Sequence, residues 1–189
     1  MGLSVIRWVV VILFGASEMT MAFLKRANRK EAEVKDRGSM PLLWIVIVLS
    51  LMLAIGSEWV TVARMHITAL LYYALTIGLT IVGLTIRWYS IITLGRLFTV
   101  DVAIQRNHEL IERGPYKYVR HPSYTGLLIA FVGLGVFFAN WLSILFLVVP
   151  ITFAILNRIV KEEKALREAL GPSYSAYCAR TKRLIPGLW

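Results

Sequence analysis

Cysteine occurs once, at Cys178, so no intrachain disulfide is available and too few thiols remain for a cysteine-based metal site. Histidine is also scarce: His66, His108 and His121 fall short of the three or four convergent donors that zinc needs, because His66 is expected on the opposite membrane face from the other two. No metal is expected. The chain has no Gly-x-Gly-x-x-Gly or Walker-type loop and no Gly-x-Ser-x-Gly elbow, which removes the familiar nucleotide cradles and the serine-hydrolase turn. Charge is sparse as well. Only 17% of the 189 residues are charged against 58% hydrophobic, a balance that marks a membrane protein. The net charge of +10 is gathered beside apolar runs instead of forming one continuous stripe, which favours orientation in a membrane over nucleic-acid binding.

Long apolar runs are what the sequence does have. At about 1.5 Å rise per residue, roughly 20 apolar residues cross a hydrocarbon core. Spans are predicted at about 5–24, 41–55 and 67–87, then at about 123–138 and 141–159. The first is read as an uncleaved anchor, since its basic residues (Lys25, Arg26, Arg29, Lys30) follow the apolar stretch, whereas in a signal peptide they precede it. Gly78 and Gly83 in the third span allow close approach by another helix, within the chain or between copies. Ala139-Asn140 leaves room only for a tight antiparallel hairpin between the last two spans. Pro150 removes a backbone donor from the fifth and should bend it. That helix is expected to continue through KEEKALREAL until Gly171-Pro172 stops it, with one short helix and a Pro-Gly turn beyond.

Five spans would leave 18 basic residues in the loops and tail of one side and only Arg64 in the loops of the other. By the positive-inside rule the richer side is cytoplasmic, so the N-terminus is expected outside and the C-terminus in the cytoplasm. The expected fold is therefore all-α and polytopic: transmembrane helices over 1–100, and over 101–189 a catalytic and cofactor-binding region that includes the last hairpin. Neither an internal repeat nor a low-complexity tract is present.

Chemistry concentrates in HELIERGPYKYVRHPSYTG, residues 108–126. Arg120-His121-Pro122 opens the fourth span, and on spacing alone it reads equally as an interfacial helix start or as a helix N-terminus offering N–H groups to a carboxylate or phosphate. Tyr116 and Tyr118 read as interfacial anchors or as a stacking surface for a planar ligand. Arg158 and Glu162 are four apart where the fifth span ends, which predicts a shared helix face; Glu163 is the neighbouring alternative. An ionisable group adjoining an apolar run is costly enough to suggest function.

The order HELIERGPYKYVRHPSYTG, a helical hairpin, Arg158-x-x-x-Glu162-Glu163 and Gly171-x-x-Tyr174-x-x-Tyr177 resembles the isoprenylcysteine carboxyl methyltransferase family of integral membrane enzymes, over roughly 108–186. The resemblance implies S-adenosylmethionine as methyl donor, with S-adenosylhomocysteine as product, held by His108, Glu109, Leu110, Ile111, Tyr116, His121, Pro122, Ser123, Tyr124 and Glu162. It implies Arg158 and Glu162 as catalytic residues, Arg158 facing the carboxylate of a lipophilic, prenylcysteine-like small molecule or prenylated-protein terminus. Asp101 departs from the family pattern, which has a cofactor-contacting glutamine there. The compartment implied is the cell membrane of a prokaryote or the endoplasmic reticulum of a eukaryote. Related enzymes that methylate phospholipid amines share a similar Arg-His-Pro element, and there His121 or Glu163 would be asked to act as base. A non-enzymatic scaffold or a transporter is the reading from another class, although the chain has no inverted repeat or paired broken helices. Oligomeric state is not encoded legibly.

Overall fold

The computed structural model describes residues 2–24, 32–105 and 109–188. Its bulk is six helices: α1 (Gly2–Leu24), α2 (Ser39–Gly56), α3 (Ala69–Leu94), α4 (Pro122–Phe137), α5 (Trp141–Leu170) and α6 (Pro172–Arg180). Among the described residues three stretches are long and apolar enough to cross a membrane: Ser39–Trp59, Ala69–Leu97 and Trp141–Leu170. The stretches Val11–Met21 in α1 and Pro122–Phe137 are shorter apolar helices. Large apolar side chains point outward from the long helices, among them Met52, Ile81 and Phe153, as expected of surfaces meeting lipid.

Local chemistry sets the helix ends. The Asp36 carboxylate accepts from the amides of Gly38 (3.3 Å) and Ser39 (2.9 Å) at the entry to α2. Asn140 caps α5 by accepting from the Leu142 amide at 2.9 Å, and its amide nitrogen donates to the carbonyls of Ser57 (2.7 Å) and Val60 (3.1 Å). The predicted Ala139-Asn140 hairpin is thereby tied to the end of α2. Helix α5 runs unbroken through Pro150 and stops at Gly171, whose φ of 57° is a left-handed conformation that glycine adopts at least cost.

Helix α3 packs along α4, and two glycines decide how closely. A Cβ at Gly83 would lie 2.5 Å from the Gly126 carbonyl oxygen, and a Cβ at Gly126 would lie 2.5 Å from the Gly83 carbonyl oxygen. The two backbones thus touch directly, which settles Gly83 as an intramolecular contact; a Cβ at Gly78 would meet nothing within 4 Å. Behind them α2, α4 and α5 enclose a core that includes Leu43, Leu127, Phe131, Leu147, Ile151 and Ile155.

The all-α expectation needs one correction. Strand β1 (Ala32–Asp36) pairs antiparallel with β2 (Val102–Gln105), matching Val34 with Ala103 and Ala32 with Gln105. The apolar, partly β-branched sequence of β2 suits a strand, and its pairing partner lies some seventy residues away, beyond the reach of local periodicity. Asp36 also meets the Lys161 ammonium at 2.9 Å, so this ribbon is anchored to α5.

Candidate active site

Between α1, α2, α3, α4, α5, α6 and β2 lies a cleft with a cavity volume of about 130 Å³. One part of its wall is apolar, built from Met21, Met40, Leu43, Trp44, Ile47 and Leu97. The other carries Arg120, His121, Tyr124, Arg158 and Glu162. The two ends of the α4–α5 hairpin that the sequence marked out therefore meet in one place.

Arg158 is the deepest of these charges, with 3% of its surface exposed. Its Nε donates to the Tyr124 hydroxyl at 2.7 Å and one terminal nitrogen to Ser39 Oγ at 3.0 Å; the other donates to the Val100 carbonyl. These three bonds leave two of the five guanidinium N–H donors uncommitted. Arg158 and Glu162 share the expected helix face without pairing directly: the Tyr124 hydroxyl stands between them, accepting from Arg158 and donating to Glu162 Oε2 at 2.9 Å. Among the described residues no carboxylate forms an ion pair with Arg158. Its direct partners are all neutral oxygens, with the Glu162 and Asp36 charges acting on it only from a distance, so a ligand carboxylate would add a direct ionic partner.

Glu162 and Glu163 part company sharply. The Glu162 side chain keeps 32% of its surface and lines the cleft. Glu163 faces the other way, 4% exposed, and accepts from Arg120 Nε and an Arg183 terminal nitrogen, each at 2.9 Å, while His121 Nε2 stands 3.4 Å away. That knot welds the C-terminal tail to α4 and α5. The tail is further stitched down by backbone bonds from Arg120 N to Lys182 O (2.8 Å) and His121 N to Arg183 O (3.0 Å), and by Thr125 Oγ1 donating to Leu184 O at 2.7 Å. Glu163 as an alternative to Glu162, or as a base, is thus corrected: both carboxylate oxygens are occupied by arginine away from the cleft.

The other expected site residues sort as follows. Glu109, Leu110, Ile111, Tyr116, His121, Ser123 and Tyr124 line the cleft, as does Asp101. Pro122 is buried in the first turn of α4 and is absent from the cleft wall. His108, with Arg106 and the basic residues of 25–30, lies outside the described residues. Tyr118 is exposed, whereas Tyr116 is buried in the turn Gly114–Lys117, its carbonyl accepting from the Tyr177 hydroxyl at 2.7 Å. Burial, and next to it the Glu162 charge, pushes the Tyr116 hydroxyl well above its usual pKa, so it is a neutral donor.

Sequence reasoning missed a second buried arginine. Arg87 grips Glu18 of α1 in a two-pronged pair (Nε to Oε1 2.6 Å, terminal nitrogen to Oε2 2.7 Å) and donates to Ser123 Oγ at 3.0 Å. Both Arg87 and Glu18 line the cleft. The signal available was two opposite charges on apolar helices, which must pair to be tolerated. Tyr174, named in the Gly171-x-x-Tyr174-x-x-Tyr177 motif but given no role there, lines the cleft, and its buried hydroxyl has no partner among the described residues.

Helices of membrane-crossing length around a cleft lined by apolar side chains together with arginines and carboxylates define an integral membrane protein with an amphipathic site. Residues 75–168 match the model of the isoprenylcysteine carboxyl methyltransferase (ICMT) family, and over that stretch the chain belongs to it. It is 38% identical over 113 residues to protein-S-isoprenylcysteine O-methyltransferase B of Arabidopsis thaliana, a match covering 58% of this chain and 57% of that protein. With protein-S-isoprenylcysteine O-methyltransferase of Schizosaccharomyces pombe it shares 32% identity over 117 residues, 61% of this chain and 50% of the other. The matched stretch thus spans little more than half the length of these relatives. A solved structure of the eukaryotic intramembrane Ras methyltransferase ICMT superposes with a TM-score of 0.62 at 23% identity, over 78% of this chain and 53% of that one, so the fold is shared.

Proposed function

We propose that this chain transfers a methyl group from S-adenosylmethionine to the carboxylate of a lipophilic, prenylcysteine-like substrate, giving a methyl ester. The observation that carries the reading is Arg158: a buried guanidinium with no direct carboxylate partner among the described residues, lining the same cleft as Met40, Leu43 and Ile47. An amphipathic carboxylate fits that cleft, its tail against Met40, Leu43 and Ile47 and its head toward Arg158. The family membership, and the names of the relatives above, point the same way.

The residues present also fit the methyl donor. Glu162 offers an anionic acceptor in the cleft for amino or hydroxyl groups, and Tyr116 offers an aromatic wall. Glu109 to Ile111, with His121, Ser123 and Tyr124, would complete its contacts. When bound, the donor supplies a methyl group on a positively charged sulfur. A carboxylate is already ionised at neutral pH, so no general base is required, and neither His121 nor Glu163 has to give up its place in the knot. Arg158 would orient the carboxylate, a two-pronged grip that lysine cannot reproduce. Tyr124, bonded to both Arg158 and Glu162, would hold the substrate-facing and donor-facing groups in fixed relation. Orientation of two reactants in a site closed to water is worth up to about 7–11 kcal/mol of barrier. A phospholipid amine is a poorer fit, because Arg158 would repel an ammonium.

In the bilayer we read α1 and α4 as further spans, making five, with the cleft, α6 and the C-terminal tail on the cytoplasmic side. The basic residues of that side support the assignment. The deciding experiment is incubation of purified protein with methyl-labelled S-adenosylmethionine and a prenylcysteine. Base-labile label in the product is expected; base-stable label on phosphatidylethanolamine would replace the carboxylate reading with N-methylation, and no cofactor binding at all would leave a scaffold or transporter.

A further inference from the structure

Arg158 donates from all three of its guanidinium nitrogens: Nε to the Tyr124 hydroxyl at 2.7 Å, one terminal nitrogen to Ser39 Oγ at 3.0 Å and the other to the Val100 carbonyl. Tyr124 and Val100 belong to the stretch that the family model matches, and Ser39 does not. A guanidinium is planar, so its five N–H bonds share one plane. Three anchors that do not lie on one line fix that plane, whereas two leave it free to swing about the line joining them. Ser39 and Val100 each take one N–H from a terminal nitrogen, so one N–H remains on each. These are the donors that would meet the two oxygens of a carboxylate, and the plane sets their aim.

Ser39 is itself firmly placed. It is 1% exposed in the first turn of α2, and its amide donates to the Asp36 carboxylate at 2.9 Å. Asp36 in turn meets the Lys161 ammonium at 2.9 Å. Arg158 and Lys161 are three apart on α5 and therefore share a face. The helix thus grips the corner from Asp36 to Ser39 at two points, one ionic and one through the Ser39 hydroxyl. Met40, the next residue, lines the cleft, so this corner stands at the cleft wall, although Ser39 does not line the cleft itself.

We propose that Ser39 is a positioning residue for methyl transfer: its hydroxyl, set in place by the Asp36 and Lys161 corner, fixes the plane of the Arg158 guanidinium and so the direction from which the substrate carboxylate is gripped. The assignment rests on the carboxylate reading above and deepens it, because it brings the start of α2 into the machinery of the site.

The test is a double-mutant cycle of Ser39→Ala and Arg158→Lys in the full-length protein in detergent micelles. Turnover and KM for a prenylcysteine are read beside affinity for S-adenosylhomocysteine. Ser39→Ala alone should lower kcat/KM about 10-fold, the scale of one hydrogen bond to a charged group, while S-adenosylhomocysteine affinity stays within about twofold. In the Arg158→Lys background the same change should cost less than about twofold, since an ammonium has no plane to fix. Lys161→Gln, a change at a partly exposed side chain that leaves no buried gap, should repeat the pattern at roughly 2- to 5-fold. Equal losses in the two Arg158 backgrounds would show that Ser39 acts through general stability and would overturn the assignment. So would an unchanged kcat/KM in Ser39→Ala, or a parallel fall in S-adenosylhomocysteine affinity, which marks a loosened cleft. An unchanged kcat/KM in Lys161→Gln would remove the corner from the device. Failure of the unaltered protein to methylate a prenylcysteine would sink the carboxylate reading itself, a result distinct from any of these.

Discussion

Two adjacent glutamates should respond oppositely to the same conservative change. In Glu163→Gln one oxygen survives as an acceptor, but the other becomes an NH2 pointed at a guanidinium, and the charge that balances Arg120 and Arg183 disappears. Breaking a buried ion pair from one side costs about 3–5 kcal/mol. The low end applies here, because the Arg183 side chain is 26% exposed and can turn to water, whereas Arg120 is held in the interior. At about 2–4 °C per kcal/mol for a chain of this size, a loss of about 3 kcal/mol lowers the thermal midpoint by roughly 6–12 °C. Affinity for S-adenosylhomocysteine, measured below the new midpoint, should change less than about threefold, since Glu163 does not line the cleft. In Glu162→Gln the side chain is already partly solvated and gives up charge on one bond from Tyr124 at 2.9 Å, so the midpoint should move by no more than about 2–4 °C. There the ligand affinity should fall roughly tenfold, the scale of a hydrogen bond to a charged group. Differential scanning fluorimetry and calorimetry on both variants check the crossover. If Glu163→Gln abolishes binding at an unchanged midpoint, the division of labour is wrong.

Other outcomes follow from single contacts. Arg158→Lys replaces a fork that holds Tyr124, Ser39 and Val100 with one ammonium, so turnover should fall about 100-fold while S-adenosylhomocysteine affinity stays within a few-fold; equal losses in both would place Arg158 on the cofactor. Gly126→Ala puts a methyl 2.5 Å from the Gly83 carbonyl oxygen and should destabilise by about 1–3 kcal/mol, whereas Gly78→Ala, with open space around it, should be neutral in the same thermal assay. Asp36 is pushed upward in pKa by partial burial but is carried well below the usual carboxylate range by bonds from Ser39, Lys161 and Gly38. Its folded pKa is therefore depressed, and its contribution is present above the unfolded value near 4 and lost as pH falls below it. Asp36→Asn should accordingly lower the midpoint at pH 7 and flatten its decline between about pH 5 and pH 3; an unaltered decline would show the acid sensitivity lies elsewhere.

The parts of this molecule legible in the sequence are those fixed by local chemistry. Helix starts at Pro122 and Trp141, the stop at Gly171 and the tight turn at Ala139-Asn140 each depend on residues within a few positions, and they fall where expected. Strand β1 was not visible because AEVKD is charged and short, and its reason for being extended is a partner at Val102–Gln105. The site was legible to the level of which helix ends converge, and not to the level of which atoms pair. Helical spacing correctly set Arg158 and Glu162 on one face, but it could not foresee that Tyr124, reaching across from α4, would insert its hydroxyl between them. Nor could it separate Glu162 from Glu163, which are next to each other in the chain and differ only in what the tail brings to them. That distinction carries the chemistry. Of the two buried arginines on the cleft wall, Arg87 is neutralised by Glu18 and serves to fix α1 and the start of α4, while Arg158 receives only neutral oxygens. Two arginines of similar burial thus differ in whether the protein gives them a direct carboxylate partner, and the proposed carboxylate substrate has a reason to approach the one without it.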